Sequence, residues 1–395
     1  MKHLLYLIVF CFTILSCDKQ DNASIAEFQK NFTVDLQVVT EGFDGEKCWF
    51  QPRIAYTGQE DEYSLIMQPW YTSASDYFGT YHEMHSYDGG NTWSAPSSLE
   101  EALGDKYVGD TLYRIADVNA QYHPHSNTIL AVGGVVRYLN GKSLGYVQKT
   151  CYFNYSSAIR KYSSYKILDM PDDPIFSYSY PGCSQWVDLP NGDILQPFRM
   201  WIESKGQFCA TVARLRYNGE ELSFKNYGNV MSLDRGRGLY EPSLIEFKGK
   251  YYLTLRNDVN GVVTVSEDGL NYKEPVEWKF DNDSLVWTEN TQQHWVKSPW
   301  ALYLVYTSSH RDESANVMRG RAPLFIAQFD EKRMVLLKNT ERVLVPNTGV
   351  QLGNFGAFDV SETESWVVTS EATTTETQKN GDNNGKVYIA RIKWY

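Results

Sequence analysis

One short segment of the chain carries side chains of the types that recognise sugars. Residues 290–295 read Asn-Thr-Gln-Gln-His-Trp. An indole ring can stack on the apolar face of a sugar ring, and amide and imidazole groups can hydrogen-bond to its hydroxyls. We therefore expect Gln292, His294 and Trp295 to contact a saccharide.

Metal-binding patterns are weak in this sequence. His82 and His85 lie three residues apart, so on a strand they would face opposite sides and could not share a metal ion. The cysteines after residue 17 are widely spaced and form no C-x-x-C pair, which does not indicate a zinc site. They are Cys48, Cys151, Cys183 and Cys209. The sequence thus predicts no cofactor and no metal site, and leaves a structural calcium ion open.

Composition excludes some partners. The 395 residues include 37 basic and 48 acidic side chains, a formal charge of −11. Nucleic-acid binding requires a basic face, so we expect no nucleic-acid partner. A small anionic ligand remains compatible, because a few arginines can dominate the field in one pocket.

The elements that must position these residues are strands. Aromatic residues make up 14% of the chain, and they favour strands. Segments such as 251–255, 301–306 and 387–392 are short and alternating or aromatic. Asn-Gly and Asp-Gly turns separate them, for example at 191–192 and 260–261. Many short strands without helical periods predict an all-β fold.

A turn motif occurs twice. Residues 86–93 read Ser-Tyr-Asp-Gly-Gly-Asn-Thr-Trp and fit S-x-D-x-G-x-x-W. Residues 266–272 repeat the pattern with Tyr272 in place of tryptophan. The motif resembles the Asp-box, or BNR repeat, of the sialidase superfamily, and the chain resembles bacterial secreted sialidase-like proteins over most of residues 45–395.

The resemblance implies a six-bladed β-propeller of sialidase type. Strand clusters recur at intervals that fit about six blades of about four strands. They lie near 45–95, 110–165, 180–230, 240–280, 290–330 and 350–395. We expect the last strand, which ends at Tyr395, to close the ring against the first blade.

Three arginines match the carboxylate-binding arginines of sialidases. Arg53 lies before the first Asp-box, Arg256 follows the segment that starts at Glu241, and Arg321 precedes a late apolar strand, with Arg319 as a rival. A guanidinium meets a carboxylate in two parallel hydrogen bonds and stays charged when it is buried. The resemblance therefore implies that Arg53, Arg256 and Arg321 form a clamp.

Three carboxylates fit the same pattern. Asp76 matches the acid/base aspartate, Glu241 the glutamate that activates the nucleophile, and Glu371 the glutamate that orients Arg53. His82 is expected to share the pocket rim with Asp76.

The chain departs from sialidases at the nucleophile. Sialidases use a tyrosine, but Phe355 lies where it is expected and has no hydroxyl. Tyr240 precedes Glu241 directly, and adjacent strand residues face opposite ways, so its substitution for that tyrosine cannot be assumed. We include Tyr240 among the substrate-binding residues, and attack by water, with inversion, is an alternative.

The N-terminus has the order of a secretory signal, with a basic start, an apolar run over 4–15 and a small residue before Cys17. Residues 14–17 resemble a bacterial lipoprotein box, which implies a signal peptide over 1–17 and lipidation of Cys17. We expect 18–35 to be a polar tether and 36–395 to be the propeller domain. The protein would be lipid-anchored in the cell envelope, at the outer membrane or facing the periplasm.

The resulting functional hypothesis is an exo-acting glycoside hydrolase that removes a terminal acidic sugar, sialic acid or a related ulosonic or uronic acid, from glycans. One alternative is a propeller-type polysaccharide lyase or rhamnosidase that acts on rhamnose–glucuronate linkages. Another is a non-catalytic glycan-binding lipoprotein. The expected partners are an acidic glycan and, through the lipid alone, a membrane; we expect a monomer.

Overall fold

The computed structural model describes residues 32–74, 76–379, 381 and 383–395, with only the backbone at 146–148. The predicted signal peptide, Cys17 and the tether as far as residue 31 lie outside the described residues. No helix in the described part is long and apolar enough to cross a membrane.

The described strands form six separate, predominantly antiparallel sheets, numbered here in chain order. Sheet 1 contains β2 (Lys47–Tyr56), β3 (Tyr63–Tyr71), β4 (His82–Ser86) and β5 (Ser97–Ser98). Sheet 2 contains β6 (Lys106–Val108), β7 (Thr111–His123), β8 (Thr128–Leu139), β9 (Lys142–Ser156), β10 (Lys161–Tyr162) and β11 (Lys166–Ile167). Sheet 3 contains β12 (Ser179–Tyr180), β13 (Val187–Asp188), β14 (Asp193–Ile202), β15 (Gln207–Tyr217) and β16 (Leu222–Tyr227).

The other three sheets follow the same meander. Sheet 4 contains β17 (Tyr240–Phe247), β18 (Lys250–Arg256), β19 (Val262–Ser266) and β20 (Val276–Glu277). Sheet 5 contains β21 (His294–Lys297), β22 (Leu302–Tyr306), β23 (Leu324–Asp330), β24 (Val335–Leu336) and β25 (Arg342–Val345). Sheet 6 contains β26 (Gly356–Ser361), β27 (Glu364–Ser370), β28 (Val387–Trp394) and β1 (Phe32–Thr40).

Helices are short in the described chain. Two single-turn α-helices are α1 (Glu100–Leu103) and α2 (Thr375–Gln378). Short 3-10 turns occupy Pro174–Phe176, Glu203–Lys205, Asp312–Ser314, Met318–Gly320 and Lys338–Thr340.

The sheets contact one another in a closed ring. Strand β2 of sheet 1 packs against β7 of sheet 2, and the contacts continue from β9 to β12, from β14 to β17, from β17 to β21 and from β21 to β26. Contacts between β26 and β2 complete the circle. A ring of antiparallel sheets is a β-propeller, so the prediction of an all-β propeller is confirmed.

The apolar core lies between the faces of neighbouring sheets. Trp278, Trp295 and Phe329, for example, pack together between sheets 4 and 5, with ring centroids 5.4–5.7 Å apart. Because the apolar side chains are buried between neighbouring sheets, polar side chains can occupy the ring axis.

The ring closes within sheet 6. Strand β1 pairs with β28 in antiparallel register, from Phe32 opposite Trp394 to Thr40 opposite Val387. The expectation that the last strand closes the ring against the first blade is therefore wrong, because β28 lies between β1 and β27. The first strand begins at Phe32, four residues before the domain start predicted at 36.

Both copies of the repeated turn share a serine-to-aspartate hydrogen bond, and in each the aspartate also accepts from a backbone amide, four residues on in the first copy and three residues on in the second. In the first, the Asp88 carboxylate accepts from Ser86 Oγ at 2.9 Å and from the Thr92 amide at 2.9 Å. In the second, Asp268 accepts from Ser266 Oγ at 2.8 Å and from the Asn271 amide at 2.7 Å. Each turn joins the third and fourth strands of its sheet, so the motif fixes the outer edges of sheets 1 and 4.

Candidate functional site

A cavity of about 1290 Å³ opens on the ring axis. Its walls come from all six sheets or the loops that lead into them, through residues such as Gln51, Asp117, Tyr180, Tyr240, Asn290 and Gln351. A cavity of this volume is large enough for a saccharide.

Arg256 and Arg321 lie side by side in this cavity. Arg256 Nε donates to the Glu289 carbonyl at 2.9 Å, and Arg321 Nε donates to the next carbonyl, of Asn290, at 2.7 Å. The Asn290 side chain also donates to the carbonyls of Arg319 and Gly320, at 3.1 and 2.9 Å. The segment around Asn290 therefore aligns the two guanidinium groups.

Glu241 is the carboxylate partner of Arg256. Both of its carboxylate oxygens accept from Arg256 Nη1, at 3.0 and 2.9 Å. Burial alone would raise the pKa of Glu241, but the charges of Arg256, Arg199 and Arg321 lower the pKa overall. Glu241 is therefore an anion at neutral pH.

The charge of Arg321 is less fully balanced. Burial and the neighbouring charge of Arg256 lower the pKa of Arg321 to about 10, while Glu241 and Asp76 act in the opposite direction. Arg321 is still protonated at neutral pH and its Nη1 donates to Gln351 at 3.3 Å. This guanidinium is a cation with room in front of it for an anionic ligand.

Tyr240 and Glu241 line the same cavity, contrary to the expectation that neighbours on a strand face opposite ways. The register between β17 and β18 shifts between Tyr240 and Ser243, and Glu241 has φ +45°. The Tyr240 hydroxyl donates to Asp258 and accepts from Arg237 Nη2 at 2.9 Å. A bulge thus places a phenol beside the carboxylate.

Asp76 lies in the loop after β3 and lines the cavity as an exposed residue. Its backbone carbonyl accepts from the Tyr138 hydroxyl at 2.8 Å, which ties the loop to sheet 2. Its charge raises the pKa of Arg321, so the two groups are electrostatic neighbours. Its placement suits exchange of protons with a ligand in the cavity.

Sequence reasoning missed a second polar cluster in the cavity. Asp117 accepts from Gln51 Nε2 at 2.6 Å and from the Tyr180 hydroxyl at 3.0 Å. The Arg199 guanidinium lies 4.0 Å from the centre of the Tyr180 ring. Asp117, the single carboxylate of β7, was the one signal for this cluster in the sequence.

Arg53 does not line the cavity. Its side chain is buried, and Nη1 donates to its own neighbour, the Pro52 carbonyl, at 2.8 Å. The register of β2 shifts between Phe50 and Arg53, so Gln51 faces the cavity instead. Of the three arginines expected to form a clamp, Arg256 and Arg321 lie in the cavity wall and Arg53 does not; Arg319 also lies in the wall.

Glu371 does not contact Arg53 either. Its carboxylate accepts from Thr348 Oγ1 at 2.8 Å, from the Tyr388 hydroxyl at 2.9 Å and from the Lys386 amide at 3.0 Å. It is buried behind the cavity wall, where it binds loop and strand together.

The predicted sugar-reading residues are buried in the protein. Gln292 Nε2 donates to the Phe355 carbonyl at 2.9 Å, and Trp295 Nε1 donates to the Ser243 carbonyl at 3.0 Å. The His294 ring meets the Phe355 ring edge-on, with centroids 5.1 Å apart. Gln292, His294 and Trp295 do not line the large cavity, so direct sugar contact by these three residues is corrected to a structural role.

His82 also lies outside the cavity wall. Its Nδ1 is 3.1 Å from the Thr80 carbonyl, and its ring packs against Trp49. Burial lowers its pKa, so it is neutral at pH 7. Among the described residues, no three His, Cys, Asp or Glu side chains are grouped as a metal site would need.

No family model matches the chain, and no curated protein sequence matches it. Among solved structures, a protein of unknown function from Dyadobacter fermentans is similar with a TM-score of 0.67 at 13% identity, over 92% of this chain and 99% of that one. The NanB sialidase from Streptococcus pneumoniae has a TM-score of 0.61 at 9% identity, over 90% of this chain and 70% of that one. A leech intramolecular trans-sialidase has a TM-score of 0.56 at 11% identity, over 92% of this chain and 70% of that one. At these identities the likeness establishes the fold, which is a sialidase-like β-propeller.

Proposed function

We propose that this protein is an exo-acting glycoside hydrolase that removes a terminal acidic sugar, sialic acid or a related ulosonic or uronic acid, from glycans. The observation that carries the proposal is the side-by-side placement of Arg256 and Arg321 in the axial cavity, next to the anion Glu241. Paired guanidiniums suit the planar, two-oxygen geometry of a carboxylate. The sialidase-like fold supports the same substrate class by analogy.

In this proposal the two arginines bind the sugar carboxylate. The oxygen of a water molecule attacks the anomeric carbon while the bond from that carbon to the leaving oxygen breaks. Asp76 gives its proton to the leaving oxygen, and Glu241 takes the proton of the attacking water. The configuration at the anomeric carbon is inverted.

Water is the proposed nucleophile because the tyrosines of the cavity are poorly activated. Phe355 is buried and has no hydroxyl. Burial raises the pKa of both Tyr180 and Tyr240 above the ordinary value, so both phenols are protonated at neutral pH. Their hydroxyls already donate to Asp117 and Asp258.

The proposal also covers the number of blades, the identity of the repeated turns and the place of the protein in the cell. We propose that the six sheets are the six blades of a sialidase-type propeller and that the repeated turns are Asp-boxes. Cys17 would carry the lipid that holds the domain at a bacterial envelope membrane.

The test is to incubate the purified protein with glycans that end in sialic, other ulosonic or uronic acids and to quantify released monosaccharide. Asp76→Asn and Glu241→Gln should each lower kcat by about 100-fold or more. The matched control is Arg333→Gln, since Arg333 is exposed and pairs with Asp330 in its own turn. Unchanged release by Asp76→Asn and Glu241→Gln would contradict the mechanism.

A second candidate is a glycan-binding protein without catalysis. Two observations favour it. Phe355 lacks the hydroxyl expected of a nucleophile, and the Glu241 carboxylate already accepts hydrogen bonds from Arg256. In the same experiment, acidic glycans that bind but are never cleaved would select this candidate. Ultraviolet absorbance from an unsaturated uronate product would instead indicate a lyase.

A further inference from the structure

Arg53 is a buried cation whose donors are not all used. The residue is 1% exposed. Nη1 reaches the Pro52 carbonyl, and the Cys183 thiol is a side-chain neighbour of the guanidinium, whereas no oxygen atom of the described residues accepts from Nε or Nη2. A guanidinium remains protonated in proteins, so this group buries a full positive charge together with unsatisfied donors.

The ionisable neighbours of Arg53 do not neutralise it. Burial raises the pKa of the Cys183 thiol and of the Tyr81 phenol, although Arg53 opposes both shifts, so both groups stay protonated at neutral pH. Burial and the charge of Arg53 lower the pKa of His294, which is therefore a neutral imidazole. These three groups carry no negative charge at pH 7.

Two carboxylates of the large cavity already have other hydrogen-bond partners. Asp117 accepts from Gln51 and Tyr180, and Glu241 accepts from Arg256. Within the described chain, no carboxylate forms an ion pair with Arg53. A buried charge without a partner is strongly unfavourable, which calls for a counter-charge from outside the chain.

A small cavity lies at this guanidinium. Arg53, Asn119 and Gly356 line it together with apolar groups, and its volume of about 10 Å³ admits the centre of one atom-sized occupant. A Cβ at position 356 would lie 2.7 Å from Arg53 Cδ, so glycine is what leaves room for the arm of the arginine.

We propose that this small cavity binds one monatomic anion, chloride in solution, held by Nε and Nη2 of Arg53. A polyatomic anion such as phosphate is too large for the space, and a water molecule would accept the hydrogen bonds but leave the charge unbalanced. The site is separate from the large cavity, so it stands or falls independently of the proposed glycan chemistry.

The experiment combines thermal unfolding with crystallography on the intact chain. At equal ionic strength, the Tm of the protein should rise saturably with sodium chloride relative to sodium gluconate, because chloride binds the folded state. Arg53→Gln should lose this dependence, whereas Arg333→Gln, at an exposed turn, should keep it. A crystal grown or soaked in bromide should show an anomalous peak within about 3.5 Å of Nε and Nη2 of Arg53.

The bromide peak decides the question even if Arg53→Gln fails to fold. Its presence at these two nitrogens supports the proposal. Its absence, with the same Tm in chloride and in gluconate, would overturn it.

Discussion

At the scale of single residues, the Glu241 carboxylate has different effects on the pKa values of Arg256 and Arg321. Glu241 hydrogen-bonds Arg256 directly, and the Arg256 pKa, which burial would lower, is raised above its ordinary value. Arg321 has no such bond to Glu241 and its pKa falls to about 10. An incoming carboxylate therefore gains most at Arg321, while Glu241 repels it.

This repulsion predicts opposite effects of one substitution on binding and turnover. Glu241→Gln removes a negative charge from the cavity but keeps an oxygen that can accept from Arg256. The Kd for an acidic sugar should fall about tenfold, because a like charge a few ångströms from the ligand costs on the order of 1–3 kcal/mol. At the same time kcat should fall, since the proton acceptor is lost.

Isothermal titration calorimetry and steady-state kinetics measure the two effects. Glu267→Gln is the matched control, because Glu267 is exposed and pairs with Lys250 at 2.9 Å away from the cavity wall. Weaker binding by Glu241→Gln would show that Glu241 holds the ligand rather than repelling it.

At the scale of elements, irregular strands deliver the polar groups of the site. Strands β2, β7 and β17 each shift register where they reach the cavity. In each shift a residue with positive φ lines the cavity: Gln51 at +50°, Asp117 at +53° and Glu241 at +45°. Non-glycine residues in this region of φ are strained. The strands therefore lose some conformational free energy where they direct these side chains into the cavity.

The strain predicts an inverted ranking of glycine and alanine. At position 241, Glu241→Gly should be more stable than Glu241→Ala by about 1 kcal/mol, because only glycine tolerates positive φ without cost. At position 246 in the same strand, where φ is not positive, Glu246→Gly should be less stable than Glu246→Ala by about 0.5–1 kcal/mol. Denaturant unfolding of the four variants gives both comparisons, and alanine ranking above glycine at position 241 would refute a strained bulge.

These bulges also explain where sequence reasoning failed. Alternation along β2 and β17 is a sound default. Pro52 and Pro242 lie where it breaks, but proline fits an edge strand as well as a bulge, so the sequence does not place the irregularity. The arginine expected in the clamp therefore turned out to be buried, and Tyr240 turned out to share the cavity with Glu241. Asp76, Arg256 and Arg321 all line the large cavity, and their positions in loops and at a strand end do not depend on register.

At the scale of the whole molecule, ring closure fixes the cavity. Strand β1 joins β28, and the Phe32 ring meets Tyr303 and Trp394 with centroids 5.7 and 5.1 Å away. The first strand of the domain is thereby joined to the last, so the six sheets that contribute the cavity walls form one closed ring. The strand clusters in the sequence predicted the sheets well, since apolar alternation and Gly-containing turns are local signals, whereas the pairing of β1 with β28 is not.

The overall charge of the molecule is opposite to what attraction of an acidic glycan would need. The chain has a formal charge of −11, which repels acidic glycans at a distance. The large cavity contains five arginines against five carboxylates, Asp76, Asp117, Glu241, Asp258 and Glu289, and is formally neutral. In the proposed function, recognition of an acidic sugar therefore comes from local geometry at Arg256 and Arg321 rather than from the field of the whole protein.

The most direct test is a crystal structure of the protein with an acidic sugar bound, taken from a panel of sialic, other ulosonic and glucuronic acids. The predicted result is a sugar in the axial cavity with its carboxylate oxygens about 3 Å from guanidinium nitrogens of both Arg256 and Arg321. A sugar bound with its carboxylate away from both arginines, or a cavity left unliganded by every acid of the panel, would contradict the account.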